Sequence, residues 1–167
     1  MMTRGISLIV VMLLVCGLSA FAQGVTRNKY NKISIAIGPE FNKNSRENFA
    51  GGAVLNFGFK VGSYFAFGIN ATASYDFQNT FVIEPGAFLR WYFSSWYSLK
   101  RDFTGWFLQG DGGASIIIED GETIPLFKGG GRIGYSFPIG RVFFLETYLR
   151  GGYPFMFGVG VLAGVRF

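Results

Sequence analysis

The sequence predicts an all-β chain, an eight-stranded antiparallel up-and-down transmembrane β-barrel, on three observations. From Ile33 to Phe167 it divides into eight stretches of alternating apolar and polar residues. Every charge in those stretches sits in the polar register. Aromatic residues collect at both ends of the apolar register. Successive side chains of a strand point to opposite faces, so each stretch has one apolar and one polar face. In a soluble barrel the apolar face turns inward. In a membrane barrel it meets lipid, and the polar face lines the lumen.

The N-terminal residues read as a secretory signal peptide, residues 1–22. Arg4 supplies the positive start, Ile6 to Leu18 the apolar run, and Ala20-Phe21-Ala22 the small-residue cleavage site before Gln23. The competing reading is a lipoprotein acylated at Cys16, but Val15 is a poor fit for the small residue wanted there. Cleavage after Ala22 leaves residues 23–167 as one barrel domain with no cysteine, hence no disulfide and no thiol nucleophile.

Each element has its own justification. Strand 33–41 sets Ile37 and Phe41 against Glu40; 53–61 sets Leu55 against Lys60. Strand 65–77 turns Phe65, Ile69, Tyr75 and Phe77 outward and Asp76 inward. Strand 81–93 carries Phe81, Ala87, Trp91 and Phe93 against Glu84 and Arg90. Strand 106–118 sets Trp106 and Gly110 against Asp111; 127–137 sets Phe127, Ile133, Tyr135 and Phe137 against Lys128 and Arg132. Strand 142–153 sets Phe143, Leu145 and Tyr153 against Glu146 and Arg150, and 155–167 sets Phe155, Val161 and Phe167 against Arg166. Turn formers such as Gly62-Ser63, Gln78-Asn79, Glu119-Asp120-Gly121 and Pro138-Ile139-Gly140 separate them. No gap has room for a crossover helix, so neighbours are antiparallel. Two prolines strain the scheme. Pro39 falls near a strand end, whereas Pro85 removes a ladder donor in mid-strand and predicts a bulge or break.

The apolar register gives an aromatic girdle at one end, made of Phe65, Trp91, Phe93, Trp106, Tyr135, Phe137 and Phe143, with aliphatic and small residues between it and the rings at the other end. The inward register carries a charge network of Glu84, Arg90, Asp111, Arg132, Glu146 and Arg150, with Glu40, Lys60, Asp76, Lys128 and Arg166 in the same register. An eight-stranded barrel is just wide enough to be filled by side chains, so these charges predict a plugged, salt-bridged lumen. Asp111, Arg132 and Glu146 form the expected central cluster, with Arg132 bridging both carboxylates.

Composition narrows the function. Charged residues are 15% of the chain against about 25% in ordinary soluble domains. The net charge of +5 is not concentrated in any run, which points away from nucleic acid. The chain has no histidine, which removes the commonest general base and every Ser-His or His-metal arrangement. The expectation is no enzyme, no cofactor and no metal. Glu119-Asp120-Gly121-Glu122 lacks calcium-loop spacing and reads as an acidic surface loop. Gly129-Gly130-Gly131-Arg132-Ile133-Gly134 matches G-x-G-x-x-G in letters but sits inside a strand, where glycine makes room for a large neighbour.

The signal peptide, the girdled alternation, Leu89-Arg90-Trp91-Tyr92-Phe93 and the closing Gly160-Val161-Leu162-Ala163-Gly164-Val165-Arg166-Phe167 together resemble the small outer-membrane barrel family of OmpA-like, OmpX-like and OmpW-like proteins. The resemblance covers the whole mature chain and implies an outer-membrane location. It also implies partners in outer-membrane lipid, periplasmic chaperones and the barrel-assembly machinery, which would read Phe167 as the assembly signal. No stretch resembles the peptidoglycan-binding domain of OmpA-like proteins, so the resemblance carries no cell-wall tether. The expected role is structural or interaction-related. The alternatives are an OmpW-like narrow channel for small or apolar solutes, a surface adhesin, for which the expected outer loops are short, and a soluble lipocalin-like carrier with its apolar face inward.

Overall fold

In the computed structural model, which describes residues 32–44, 49–61, 64–76, 78–93 and 104–167, the eight strands follow one another around a closed antiparallel barrel. They are β1 Ile33–Asn44, β2 Phe49–Val61, β3 Phe65–Tyr75, β4 Thr80–Tyr92, β5 Gly105–Glu119, β6 Glu122–Ile139, β7 Phe143–Tyr153 and β8 Phe155–Arg166. Residues 1–22, including Cys16, and Phe77 lie outside the described residues. Phe167 and Ile33 exchange backbone hydrogen bonds at 2.9 and 3.0 Å, closing the cylinder at the end where Lys32 and Phe167 lie.

Turn chemistry sets the tightest connection. Asp120 and Gly121 both have positive φ, 51° and 84°, the paired left-handed geometry of a type I′ hairpin, and Glu119 pairs with Glu122 across it. The acidic stretch is therefore a two-residue hairpin turn.

Inter-strand register sets the stagger. Partner to partner from Ile33, the path runs through Phe59, Phe67, Leu89, Gly110, Gly131, Gly151 and Phe157 and returns to β1 at Lys43, ten residues further along. An eight-stranded barrel with that stagger tilts its strands by about 40°.

Burial is inverted relative to a soluble barrel. Ile69 and Leu149 are 63% and 62% exposed on the outer face, while Glu84 and Arg132 are 0% and 1% exposed inside. This corrects the lipocalin-like alternative, which required the apolar face inward. Period-two alternation fixes two faces but not which is inside; most of the bulky aliphatic residues of these strands face out.

Pro85 behaves differently from the expected bulge or break. β4 runs unbroken and its register with β3 never shifts. The β4–β5 ladder resumes in the same register at Gly86↔Gly113, lapsing only at Glu84 and Pro85. One missing N–H deletes one ladder bond and leaves the register intact. Pro39 is not near a strand end, because β1 continues to Asn44, and it produces the same kind of lapse: β1 and β8 pair at Ile37↔Ala163 and again at Glu40↔Gly160. β6 begins at Glu122, five residues before the expected start, because Thr123 to Leu126 ladder onto β5. Pro125 fits there because β7 pairs with β6 only from Gly129 onward, so the missing donor falls on an open edge.

Inside, large rings lie over glycines of neighbouring strands. A Cβ at Gly68 would meet Phe88, one at Gly134 Phe107, one at Gly160 Tyr148 and one at Gly164 Phe144. These ring–glycine pairs pack into the interior beside Ala36, Val54 and Leu162.

Candidate functional site

The lumen is where the chain's charged side chains converge. Arg150 on β7 donates from Nη1 to Glu40 Oε1 on β1 at 2.8 Å and from Nη2 to both oxygens of Glu84 on β4 at 2.7 and 2.9 Å. Tyr148 Oη donates to the other Glu40 oxygen at 2.5 Å, and Asn42 Nδ2 to Glu40 Oε1 at 3.2 Å. Nearer the termini, Arg90 on β4 donates to Glu146 on β7 and to Gln109 on β5, both at 2.7 Å. Its guanidinium lies 4.1 Å from the centroid of the Phe107 ring. A planar cation laid against a ring in this way keeps both its ionic partner and an apolar lining.

Asp111 on β5 accepts from Asn70 at 2.5 Å and Gln109 at 2.7 Å, and its second oxygen lies 3.2 Å from Arg132 Nε. Arg132 is held differently from the other arginines. It sits 4.9 Å from the Tyr148 ring centroid, and none of its three guanidinium nitrogens has a hydrogen-bond partner among the described residues. Lys128 reaches Asn70 Oδ1 at 3.5 Å. Arg166 donates to Ser136 at 2.8 Å and stacks 4.3 Å from the Phe144 centroid.

Glu84, Arg90, Asp111, Arg132, Glu146 and Arg150 all lie on the inner face and are buried. The expected central trio is not one cluster. Arg132 approaches Asp111, but Glu146 bonds Arg90 instead, because the stagger of β4 against β7 brings Arg90 level with Glu146 across the lumen. The convergence on Arg150 was missed, as were the rings Phe88, Tyr92, Phe107, Phe144 and Tyr148, which occupy the same inward register as the charges. The signal for the rings is in the sequence: glycines on neighbouring strands leave room for them. Asp76 does local work instead, accepting the backbone N–H of Gln78 and Thr80 at 2.9 Å each in the β3–β4 turn.

The carboxylates in mid-lumen are all held by guanidinium, amide or phenol donors. Such an arrangement holds charge in place rather than moving protons. Among the described residues, no group of three or more His, Cys, Asp or Glu is placed to hold a metal ion.

On the outer face, Phe65, Trp91, Trp106, Phe137 and Phe143 are exposed at the end that carries the termini, with Tyr135 and Phe93 half-buried beside them. Trp106 meets Tyr135 edge-on at 5.4 Å, and Tyr135 and Phe137 lie 4.5 Å apart. At the other end Phe41 stacks on Phe49 at 5.3 Å. No helix among the described residues is long and apolar enough to cross a membrane, which does not bear on strands.

No protein-family model matches the sequence, and no curated protein matches it. Among solved structures, the chain is similar to Neisserial surface protein A, whose crystal structure aligns with a TM-score of 0.55 at 12% identity, over 80% of this chain and 94% of that one. The shared fold is the closed eight-stranded antiparallel barrel. The solution structure of de novo designed TMB2.3 aligns with a TM-score of 0.46 at 10% identity, over 84% of this chain and 98% of that one. At 12% identity the likeness to Neisserial surface protein A is one of fold.

Proposed function

We propose that this chain is an integral outer-membrane β-barrel protein with a structural or interaction role, no catalytic activity and a lumen plugged by its own side chains. One observation carries the reading: the outer face is apolar and exposed, while Glu40, Glu84, Arg90, Arg132, Glu146 and Arg150 are buried inside. In water that arrangement hides charge and displays oil. In a bilayer it satisfies both faces, since the closed ladder also pairs the backbone polar groups. The aromatic rims support it, because ringed side chains favour the two membrane interfaces. Residues 1–22 act as the export signal in this reading. Phe167 ends the strand presented to the barrel-assembly machinery, after delivery by periplasmic chaperones.

The test separates lipid from water at one outward site. Ala71 on β3 is exposed, next to fully buried Thr72. Ala71→Leu should leave outer-membrane levels and heat-modifiable gel migration unchanged. Ala71→Arg should block assembly or cost about 2–4 kcal/mol. Equal tolerance of the two, or recovery of the Arg variant as a soluble folded barrel, would remove the membrane reading.

A further inference from the structure

Six of the eight strand seams run without a gap through their paired lengths; the two that lapse are β1–β8 and β4–β5. Each gap sits at a proline, and β1–β8 also shifts register between Lys43 and Asn44 at its far end. In the β1–β8 register Pro39 lies opposite Val161, and in the β4–β5 register Pro85 lies opposite Ala114, so each facing carbonyl loses its ladder donor. In an eight-stranded ring these seams are four strands apart in either direction and therefore on opposite sides of the barrel. They divide it into two continuous half-shells, β1–β4 and β5–β8.

The lumen network is arranged on the same division. Glu40 follows Pro39 in the chain and Glu84 precedes Pro85. Both carboxylates project inward from the first half-shell beside the two lapses, and both are held by Arg150 of the second. Arg90–Glu146, Arg90–Gln109, Asn70–Asp111, Lys128–Asn70 and Tyr148–Glu40 likewise cross from one half-shell to the other. Arg132–Asp111 stays within one.

We propose that the barrel is built as two four-stranded half-shells meeting at two proline-weakened seams, and that Arg150 is the internal latch holding both seams shut. Each seam has given up one backbone hydrogen bond, and a buried ion pair within a residue of the gap supplies the missing hold. Local opening follows the least-bonded boundaries of a fold, so motion of this barrel is concentrated at these seams rather than shared around the ring.

Backbone amide exchange of the folded mature chain in lipid nanodiscs tests this. Glu84→Gln should speed exchange by about tenfold at Ile83, Ala114 and Ile116, and Glu40→Gln by a similar factor at Ile37, Phe41 and Val161, each at its own seam. Arg150→Met should loosen both seams together. Leu55 and Ala71 in the β2–β3 ladder, and Ile133 and Leu149 in the β6–β7 ladder, should stay protected throughout. Arg132→Met should leave both weak seams as they were. Pro85→Ala, which returns a donor to Ala114, should slow exchange at the β4–β5 seam in the otherwise unchanged chain and restore it in the Glu84→Gln background. Loosening spread evenly over all eight seams would make the ion pairs general plugging. Unchanged exchange at the β4–β5 seam in Pro85→Ala would show that the lapse is not a weak point. Either result overturns the latch.

Discussion

Arg150 and Arg132 face each other across the β6–β7 ladder, both buried, and their surroundings give them different weight. Arg150 neutralises two carboxylates at 2.7 to 2.9 Å. Its loss leaves Glu40 and Glu84 buried without their ion-pair partner. Among the described residues Arg132 makes one ion pair, with Asp111, which keeps the amide donors of Asn70 and Gln109 without it. Arg150→Met should therefore lower stability by about 3–5 kcal/mol, the cost of breaking a buried pair, and Arg132→Met by less than about 2 kcal/mol. Denaturant unfolding of the refolded barrel measures both, and a reversed order would move the centre of the network to Arg132. At this scale the sequence told which charges point inward, because period two decides that. It did not tell who meets whom. Glu146 pairs with Arg90 across the lumen, a partner set by the stagger of strands distant in the chain.

Among the elements, β8 shows how the strands are fitted to one another. Its glycines are not interchangeable with small residues in general, because Gly160 receives the Tyr148 ring and Gly164 the Phe144 ring. Gly160→Ala should displace Tyr148, break its bond to Glu40 and cost about 1–3 kcal/mol by overpacking. Gly110 on β5 points outward into open space, so Gly110→Ala should change stability by less than about 0.5 kcal/mol. Thermal or denaturant midpoints compare the two, and equal effects would mean that backbone conformation, not ring packing, decides. The strands themselves were legible because alternation and turn formers agree. They misled where Pro85 was read as a bulge or break, and where the sixth strand was expected to start only at residue 127. Pro125 lies inside β6 because one side of that strand is an open edge, and Pro85 costs β4 a single ladder bond because the flanking pairs hold the register.

For the whole molecule, closure and inverted polarity were readable in advance: eight alternating stretches without crossover segments can close only as a meander, and no charge interrupts the outward register between the two aromatic rims, Lys43 lying beyond Phe41 at one end. The rings' share in filling the lumen was not, since they share the register of the charges and their partners are glycines on other strands. That filling bears on conduction. With Phe107, Leu162, Arg132 and Lys128 fully buried in the interior, the purified protein in planar bilayers should show no steady single-channel steps. Well-defined steps, or uptake of apolar solutes into liposomes, would favour a narrow conduit in place of a plug.

On the proposed membrane reading, the ten-residue stagger also bears on which bilayer the barrel fits. Tilted by about 40°, the eleven-residue strands β3 and β7 rise only about 28 Å from end to end. That is slightly less than the hydrocarbon thickness of an average membrane and suits a thin one, since each ångström of mismatch costs a fraction of a kcal/mol. Refolding into synthetic vesicles should therefore slow steadily as lipid acyl chains lengthen from about 12 to about 18 carbons. A rate indifferent to chain length would mean that the aromatic rims do not hold the barrel at a fixed depth. If the dependence holds, hydrophobic mismatch adds a physical sorting cue to any address carried at the ends of the chain.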